Sequence, residues 1–174
     1  GAVQKPVHNL LNNQIFGLNS EDGGWYTLKL SDQTKGTITR EEGYSGTKCA
    51  KLVKTDASTE EGICQDVQLP AGTYTVSAYV KTEDLLEEDS TDIKGAGILI
   101  LHADGSRTAG KRFVDYTTDT EVDAGWERLM LTFTLDAAET VTVFVGILGM
   151  KGTLKVSGVQ LEELHSNYRD EPRV

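Results

Sequence analysis

Aromatic and basic side chains lie on the predicted outward faces of three strands, where a ligand could reach them. The outward face of the first strand carries Tyr79 and Lys81. The second carries Arg128 and Met130, and the third carries Phe144. A flat aromatic ring can stack on the apolar face of a sugar, while neighbouring polar groups hydrogen-bond its hydroxyls. The outward residues therefore supply a possible set of contacts for such a ligand, provided that the three strands share one sheet.

An alternative for the same residues stays open. Exposed apolar area usually marks an interaction site, and that interaction could be with a loop or a neighbouring domain that covers these aromatic side chains. Trp25 is a further ligand-binding candidate, since it lies near a strand end with Tyr26, where loops could form an end-on site with Tyr116. Trp126 begins a strong strand and is predicted to cap the core instead.

The elements that carry these residues are predicted from their alternation of apolar and polar residues, which is typical of half-buried strands. The alternation is strongest in three segments, 73–81, 127–135 and 141–148. Weaker strand-like segments are 25–30, 37–40, 49–54, 63–69, 97–102, 112–116 and 154–161. The stretches 82–95 and 103–111 are predicted to be irregular connections, and the helix-like segments 84–89 and 160–165 are too short to matter. About ten strands without a helix predict an all-β fold, either a sandwich or a barrel. The two irregular stretches fit connections over the ends of a sandwich, so we expect an antiparallel two-sheet β-sandwich.

Length and charge narrow the functional classes. The chain has 174 residues with 38% hydrophobic content, which is enough for one core, so we expect a single domain over 1–174. Its 27 acidic and 17 basic residues give a net charge of −10. This sign argues against a nucleic-acid partner and against an anionic membrane surface. The longest apolar stretch, Gly95 to Leu101, is too short to span a bilayer.

A succession of short motifs covers nearly the whole chain and resembles a known family. The motifs are Asn9-Leu10-Leu11-Asn12-Asn13 with Phe16, Gly24-Trp25, Gly43-Tyr44-Ser45-Gly46, Ala50-Lys51-Leu52, Gln65-Asp66-Val67, Ala71-Gly72-Thr73-Tyr74-Thr75-Val76-Ser77, Gly125-Trp126-Glu127-Arg128 and Val159-Gln160-Leu161-Glu162. In this order they resemble the jelly-roll, galactose-binding-like carbohydrate-binding modules of bacterial secreted glycoside hydrolases and surface proteins. The resemblance implies a jelly-roll sandwich more strongly than it implies a particular ligand, because one fold hosts many functions.

The resemblance also implies a function, a location and partners. It implies non-catalytic binding of a polysaccharide or oligosaccharide by a module of a larger extracellular or cell-surface bacterial protein, linked covalently to neighbouring domains. Sugar rings would then stack on Tyr79, with Phe144 or Trp25, while Arg128 and Lys81 orient the hydroxyls. The alternative is a structural or adhesive module of a surface or fibre protein with no sugar ligand. In that case the outward residues, Met130 among them, would form a protein interface.

Two departures from the family pattern concern calcium. Members often carry an acidic residue directly after the Phe of the first motif and an Asp shortly before the last motif, and these help to hold a structural calcium ion. This chain has Gly17 and Ser157-Gly158 at those places. Calcium prefers six to eight oxygen ligands, commonly including carboxylates. We therefore expect no cofactor, unless Glu21, Asp22 and backbone carbonyls substitute as ligands of a calcium ion.

The two cysteines allow two interpretations. If 49–54 and 63–67 form an antiparallel hairpin, Cys49 and Cys64 lie directly opposite each other and could form a disulfide. A secreted origin would favour that bond. The other interpretation is two small, semi-buried thiols. Neither implies redox catalysis, because the sequence has no Cys-x-x-Cys motif.

Catalytic motifs are missing from the sequence. It contains no Gly-x-Ser-x-Gly elbow, no His-Glu-x-x-His and no phosphate-binding loop. The acidic run 83–92 lacks the ligand spacing of an EF-hand and is predicted to be a solvated loop. His102 has no visible partner in the sequence, so it receives no catalytic role. We therefore expect that the chain is not an enzyme.

Overall fold

The computed structural model describes residues 9–12, 14, 16–17, 23–56, 58–87, 95–109 and 125–164. Eleven strands account for most of these residues: β1 (Tyr26–Lys29), β2 (Thr34–Gly36), β3 (Thr39–Glu42), β4 (Lys48–Lys54), β5 (Glu60–Leu69), β6 (Gly72–Glu87), β7 (Gly95–Leu101), β8 (Arg107–Ala109), β9 (Glu127–Leu135), β10 (Glu139–Leu148) and β11 (Met150–Leu164). A single 3-10 turn, Tyr44–Gly46, separates β3 from β4. Among the residues described, no helix has the length and apolar character needed to cross a membrane.

The strands form two antiparallel sheets, which confirms the predicted all-β sandwich. The six-stranded sheet has the order β2-β1-β5-β10-β7-β8, and the five-stranded sheet has the order β3-β4-β11-β6-β9. The chain passes between the sheets repeatedly, since β4 and β5, β6 and β7, and β10 and β11 are each divided between them. Strands that follow one another in sequence therefore often lie on opposite sides of the core.

The core lies between the sheets and is built from the inward side chains of the strong alternations. In β9 every second residue is buried, and the same side of β6 carries Tyr74, Val76, Ala78 and Val80. Removing such side chains from water contributes about 1.5–3 kcal/mol for each large one, so these two strands hold the sandwich together. Trp25 and Phe16 close the core beside them, with their ring centroids 5.1 Å apart.

A second, smaller apolar cluster lies on the outer face of the six-stranded sheet. It contains Leu28, Cys64, Leu99, Phe144 and Leu148. Glycines on two neighbouring strands make room for the aromatic ring of this cluster. A Cβ atom on Gly62 or on Gly146 would lie 2.6 Å from the ring of Phe144. The sheet is therefore apolar on both sides at its centre.

Three of the predicted connections and turns are strands in the structure. β6 runs to Glu87, so the acidic run begins as a strand and not as a solvated loop or a helical turn. Glu83 is held there by Lys155 of β11, whose Nζ lies 2.9 Å from its Oε1. β8 occupies part of the predicted connection 103–111, and β11 continues to Leu164. The predicted strand 112–116 lies outside the described residues, as do 88–92 of the acidic run.

The hypothesis of a Cys49–Cys64 disulfide is wrong. Both residues are buried free thiols. Cys49 lies on β4 of the five-stranded sheet and Cys64 on β5 of the six-stranded sheet, so the proposed hairpin does not exist. Cys64 packs into the apolar cluster on the outer face of its sheet. The alternative interpretation, two thiols without a disulfide, is confirmed, and both are fully buried rather than semi-buried.

Candidate functional site

A groove of about 410 Å³ crosses the outer face of the six-stranded sheet. One wall is the hairpin of β1 and β2, and the other is the hairpin of β7 and β8, which are the two margins of this sheet. The lining side chains come from both hairpins and from the central strands: Tyr26, Leu28, Leu30, Gln33, Lys35, Asp66, Leu101, His102, Ala103, Gly105, Arg107, Thr140 and Thr142. The groove thus combines polar side chains on its central strands with apolar and charged side chains on its walls, a mixture that is typical of small-molecule sites.

Asp66 is the acidic group of this groove, and two neighbours hold it in place. The phenol of Tyr26 on β1 and the hydroxyl of Thr142 on β10 both donate hydrogen bonds to its Oδ1, the second at 2.8 Å. Thr142 is the direct partner of Asp66 in the β5–β10 ladder. Burial, together with the Asp66 carboxylate, raises the pKa of Tyr26, which therefore remains a donor.

Cations lie on both walls of the groove. Lys35 of β2 places its Nζ 5.1 Å from the centre of the Tyr26 ring. Arg107 of β8 forms a two-pronged ion pair with Glu60, with nitrogen–oxygen distances of 2.8 and 3.3 Å. Since β7 and β10 lie between β8 and β5 in the sheet, this pair reaches over two strands. It fixes a guanidinium, which is a planar multiple donor, above the sheet.

His102 has partners that its sequence context did not reveal. Its Nδ1 lies 3.2 Å from Oε2 of Glu139, and its Nε2 lies 2.7 Å from Oγ1 of Thr108. The same Glu139 oxygen accepts a hydrogen bond from the amide of Ala103. Because both ring nitrogens are engaged, His102 braces the β7–β8 hairpin that forms one wall of the groove. The sequence shows no partner for His102, whereas the structure gives it two, Glu139 and Thr108.

Four of the six predicted ligand-binding residues share a face, but it is the outer face of the other sheet. β6 and β9 are neighbours in the five-stranded sheet, where Tyr79 lies opposite Arg128, and Lys81 and Met130 lie on the same side. Phe144 belongs to the six-stranded sheet, so the assumption that all three strands share one sheet is wrong. Tyr79 and Phe144 therefore lie on opposite sides of the sandwich.

Trp25 is also wrongly predicted as a ligand-binding residue. Its side chain is fully buried in the core, and its indole nitrogen donates to the carbonyl oxygen of Asn12 at 3.0 Å. The next residue, Tyr26, turns to the outer face because side chains alternate along a strand. Of the end-on candidates, Tyr26 lines the groove, and Tyr116 lies outside the described residues.

The ring of Tyr79 is covered by a second tyrosine. Tyr44 stacks on it with a centroid separation of 4.1 Å and an interplanar angle of 9°. The turn that carries Tyr44 is held by a hydrogen bond of 2.7 Å from the amide of Gly43 to the carbonyl of Thr47. Trp126, predicted to cap the core, is half-buried and meets Tyr44 edge-on at 6.1 Å. These three rings form an aromatic cluster, in which Tyr44 occupies one face of the Tyr79 ring.

The groove residues Tyr26, Asp66 and Thr142 were not predicted as a set. Asp66 and Thr142 stand at outward positions of strands that were both predicted. Asp66 and Thr142 meet because β5 pairs with β10, although the two residues are 76 positions apart in the sequence. Alternation within one strand carries no information about such a partner.

The first of the two family positions associated with calcium does not fit a metal ion here. Nη1 of Arg40 donates to the carbonyl oxygens of Phe16 and Gly17, at 3.1 and 2.9 Å. A guanidinium bound to both carbonyls competes with a divalent cation for the same oxygens and repels it. Glu21 and Asp22, the possible substitutes, lie outside the described residues. In the described part of the chain, no three His, Cys, Asp or Glu residues are grouped to hold a metal ion.

Solved carbohydrate-binding modules share this fold. The xylan-binding domain CBM22-1 of Paenibacillus barcinonensis has a TM-score of 0.57 at 14% identity, covering 92% of this chain and 97% of that chain. TmCBM61 in complex with β-1,4-galactotriose has a TM-score of 0.52 at 16% identity, covering 90% of this chain and 99% of that one. The CBM22-1–GH10 modules of Clostridium thermocellum xylanase 10B, complexed with xylohexaose, have a TM-score of 0.60 at 14% identity. That match covers 92% of this chain and 29% of the longer one.

The sequence itself matches no protein-family model and no curated protein. At the identities found for the solved structures, the likeness shows the fold and nothing finer.

Proposed function

We propose that this chain is a non-catalytic carbohydrate-binding module that holds a polysaccharide or oligosaccharide in the groove of the six-stranded sheet. The observation that carries the proposal is Asp66, an exposed carboxylate fixed by Tyr26 and Thr142 inside an open groove. A carboxylate held in this way is ready to accept hydrogen bonds from sugar hydroxyls without further ordering. The fold shared with modules described as xylan-binding or bound to galactotriose supports the same class of ligand.

The groove supplies the two kinds of contact that a sugar needs. Leu28 and Leu101 give the apolar surface, and Tyr26 adds the edge of an aromatic ring. Asp66 accepts hydrogen bonds, and Arg107 and Lys35 donate them. The groove is open along the sheet, so a chain of several sugar units fits better than a single enclosed ring. Affinity will be modest, because hydroxyl groups surrender bound water for each contact they make.

A neutral glycan suits this groove better than a polyanionic one. Asp66 lies within the groove, Glu60 neutralises Arg107, and the chain as a whole carries a net charge of −10. A polyanion would meet this repulsion along most of its length. We further propose that the chain works outside a bacterial cell, as one module of a larger secreted or surface protein, and anchors that protein to its glycan.

Affinity gel electrophoresis against a panel of neutral and acidic polysaccharides tests the proposal. Two variants separate the faces: Asp66→Ala, at an exposed residue in the groove, and Tyr79→Ala, at a half-buried residue in the aromatic cluster. We expect a neutral polymer to retard the wild type and the Tyr79 variant equally, and the Asp66 variant far less. Loss of retardation in the Tyr79 variant alone would move the site to the five-stranded sheet. Absence of retardation by every polymer would refute sugar binding of this class.

A second candidate function rests on the opposite face. Met130 is 58% exposed and Tyr44 is 39% exposed, and both lie on the outer side of the five-stranded sheet. Exposed apolar side chains next to Arg128 suit a protein interface. In this alternative the chain is a structural or adhesive module, and the aromatic cluster contacts a neighbouring domain or a second copy. Light scattering after size-exclusion chromatography separates the two functions: a dimer that Met130→Glu dissociates would favour the interface.

A further inference from the structure

We propose that Arg40 is a built-in cation that does the work of a structural calcium ion, so that the folded domain needs no metal. The inference starts from two hydrogen bonds that share one donor atom. Nη1 of Arg40, on β3, donates to the carbonyl oxygen of Phe16 at 3.1 Å and to that of Gly17 at 2.9 Å. Two consecutive carbonyls therefore converge on one positive group.

Such convergence is unusual for an extended chain, in which successive carbonyls point to opposite sides. Phe16 has a φ of +57°, in the left-handed region that side chains other than glycine seldom adopt. The surrounding structure must maintain that conformation, since it costs about 1–2 kcal/mol for a residue with a Cβ atom. The two carbonyl groups are thus held as a ligand pair, and the group that they bind is a guanidinium.

The contact ties the N-terminal segment to the edge of the five-stranded sheet. Phe16 is fully buried against Trp25, so its backbone must follow a fixed path. Beside it, the amide of Val159 donates to the carbonyl of Gln14 at 3.0 Å. Arg40 adds the link to β3 on the other side. Without a cation between them, the partial negative charges on the carbonyl oxygens of Phe16 and Gly17 would repel each other.

The second family position associated with calcium is also satisfied by protein groups. Ser157 is buried, and its hydroxyl donates to the carbonyl oxygen of Lys48 at 3.0 Å. The same hydroxyl lies 3.0 Å from Oγ1 of Thr47. The neutral hydroxyl of Ser157 therefore takes the place of the acidic residue that family members carry. The carbonyl oxygen of Lys48 receives its hydrogen bond from within the protein. Each of the two substitutions removes a negative charge, which matches the loss of a divalent cation.

Thermal unfolding of the full chain with and without metal tests this inference. We expect the Tm of the wild type to be unchanged by excess EDTA and by added calcium. R40M should lower Tm by about 3–8 °C, because it removes two charge-assisted hydrogen bonds. R40K, which keeps the charge but loses the planar fork, should fall between the wild type and R40M. The matched control is K48M, which removes a surface cation paired with Glu42.

Two results would overturn the inference. One is a wild-type Tm that falls with EDTA and is restored by calcium but not by magnesium, which would mean that a metal ion is bound after all. The other is an R40M variant no less stable than K48M, which would mean that Arg40 holds nothing together. The comparison of Tm with and without metal uses the wild type alone, so it tests the inference even if R40M does not fold. Neither result bears on sugar binding, which is measured separately.

Discussion

The phenol of Tyr26 donates its hydrogen bond to the carboxylate of Asp66, from the strand at the wall of the groove to the strand at its floor. The hydrogen bond fixes the position of the aromatic ring and the orientation of the carboxylate. Thr142 donates to the same oxygen at 2.8 Å from the opposite strand. An acceptor that is already oriented loses little entropy when a ligand hydroxyl binds it. The pair is therefore the first place to test the groove.

Removing the carboxylate should weaken sugar binding more than removing the phenol hydroxyl. Asp66→Ala should lower affinity by about tenfold to a hundredfold, since a hydrogen bond to a charged group contributes roughly 1.5–3 kcal/mol. Tyr26→Phe keeps the ring and should cost only about threefold, through looser orientation of Asp66. Isothermal titration with the polymer that binds in the electrophoresis panel measures both variants.

Thr132→Ala is the control for these two variants. It removes an exposed threonine of the five-stranded sheet, which pairs with Thr75 at 3.0 Å, far from the groove. Its affinity should equal that of the wild type. If Asp66→Ala binds as tightly as this control, the carboxylate does not contact the ligand.

The aromatic cluster on the other face should matter for stability. If Tyr79 stacked on a sugar, as the sequence predicts, Tyr79→Ala would weaken binding and leave stability nearly unchanged. Because Tyr44 is stacked on its ring, we expect the reverse. Loss of the stacked pair should cost about 0.5–1.5 kcal/mol beyond the lost burial, with a fall in Tm of several degrees. Denaturant unfolding of Tyr79→Ala and Tyr44→Ala measures this cost. If neither variant is destabilised, the cluster has no structural role and its exposed ring becomes the stronger ligand candidate.

Sequence patterns predicted the strands well because alternation is a local property. The strongest segments became β6, β9 and β10, and their inward residues fill the core. The assignment of strands to sheets was not predictable in this way. It is set by ladders between distant segments, such as β5 with β10. One wrong assignment placed Phe144 beside Tyr79.

The same limit explains the remaining differences. Cys49 and Cys64 are near each other in sequence, but the chain crosses the core between them, so proximity along the chain did not become a hairpin. The acidic run has a loop-like composition, yet Glu83 remains in a strand because Lys155 of β11 neutralises it. The stacking of Tyr44 on Tyr79 was not predicted, because the position of Tyr44 follows from a turn, in which Ser45 has a φ of +53°, and not from a periodic pattern.

Arg107 should contribute to sugar affinity through its fixed guanidinium. Arg107→Met removes the guanidinium that lines the groove, and we expect affinity to fall by about threefold to thirtyfold. Glu60→Gln keeps the Arg107 side chain but removes its ion pair, so the guanidinium is no longer fixed. The loss of affinity should therefore be smaller than for Arg107→Met. The ion pair is largely exposed, so both variants should change the free energy of unfolding by less than about 1 kcal/mol. Equal affinity of Arg107→Met and the wild type would exclude the guanidinium from the site.

The ion pairs of Lys155 predict a dependence of stability on pH. Its hydrogen bond to Glu83 lowers the pKa of that carboxyl below 4.5 and raises the pKa of Lys155 above 10.5. Glu83 contributes stability above pH 4.5, and the contribution is lost as pH falls through its lowered pKa. Lys155 contributes below pH 10.5 and loses its contribution as pH rises through its raised pKa.

Lys155→Met should therefore destabilise the domain at neutral pH and much less in acid. The cost at neutral pH should be about 1 kcal/mol or less, because Glu83 is more than a third exposed. Thermal unfolding of both proteins from pH 7 down to pH 3 measures the difference in Tm. Lys48→Met, which breaks an exposed pair with Glu42, is the control and should show little difference at any pH. A Lys155 difference that is as large in acid as at neutral pH would mean that packing of its stem, and not its charge, stabilises β6 against β11.

Two glycine substitutions should separate the shape of the groove from the stability of the sheet. The nearest atoms to a Cβ atom on Gly62 belong to the ring of Phe144, at 2.6 Å, and a side chain can yield where a backbone cannot. Phe144 packs in the apolar cluster that contacts Tyr26, Leu30 and Leu101 of the groove, so its displacement disturbs the groove. A Cβ atom on Gly146 also meets the backbone oxygen of Glu61 at 2.4 Å, which cannot yield in the same way. Gly62→Ala should therefore fold with a loss of about 1–3 kcal/mol, typical of overpacking, and should bind sugar more weakly.

Gly146→Ala should lose more stability than Gly62→Ala, because its clash involves the β5–β10 ladder itself. Denaturant unfolding gives the order of the two variants, and titration of Gly62→Ala with the bound polymer gives the effect on the groove. A Gly62→Ala variant that binds as tightly as the wild type, with an unchanged unfolding midpoint, would mean that the ring of Phe144 does not lie over this glycine.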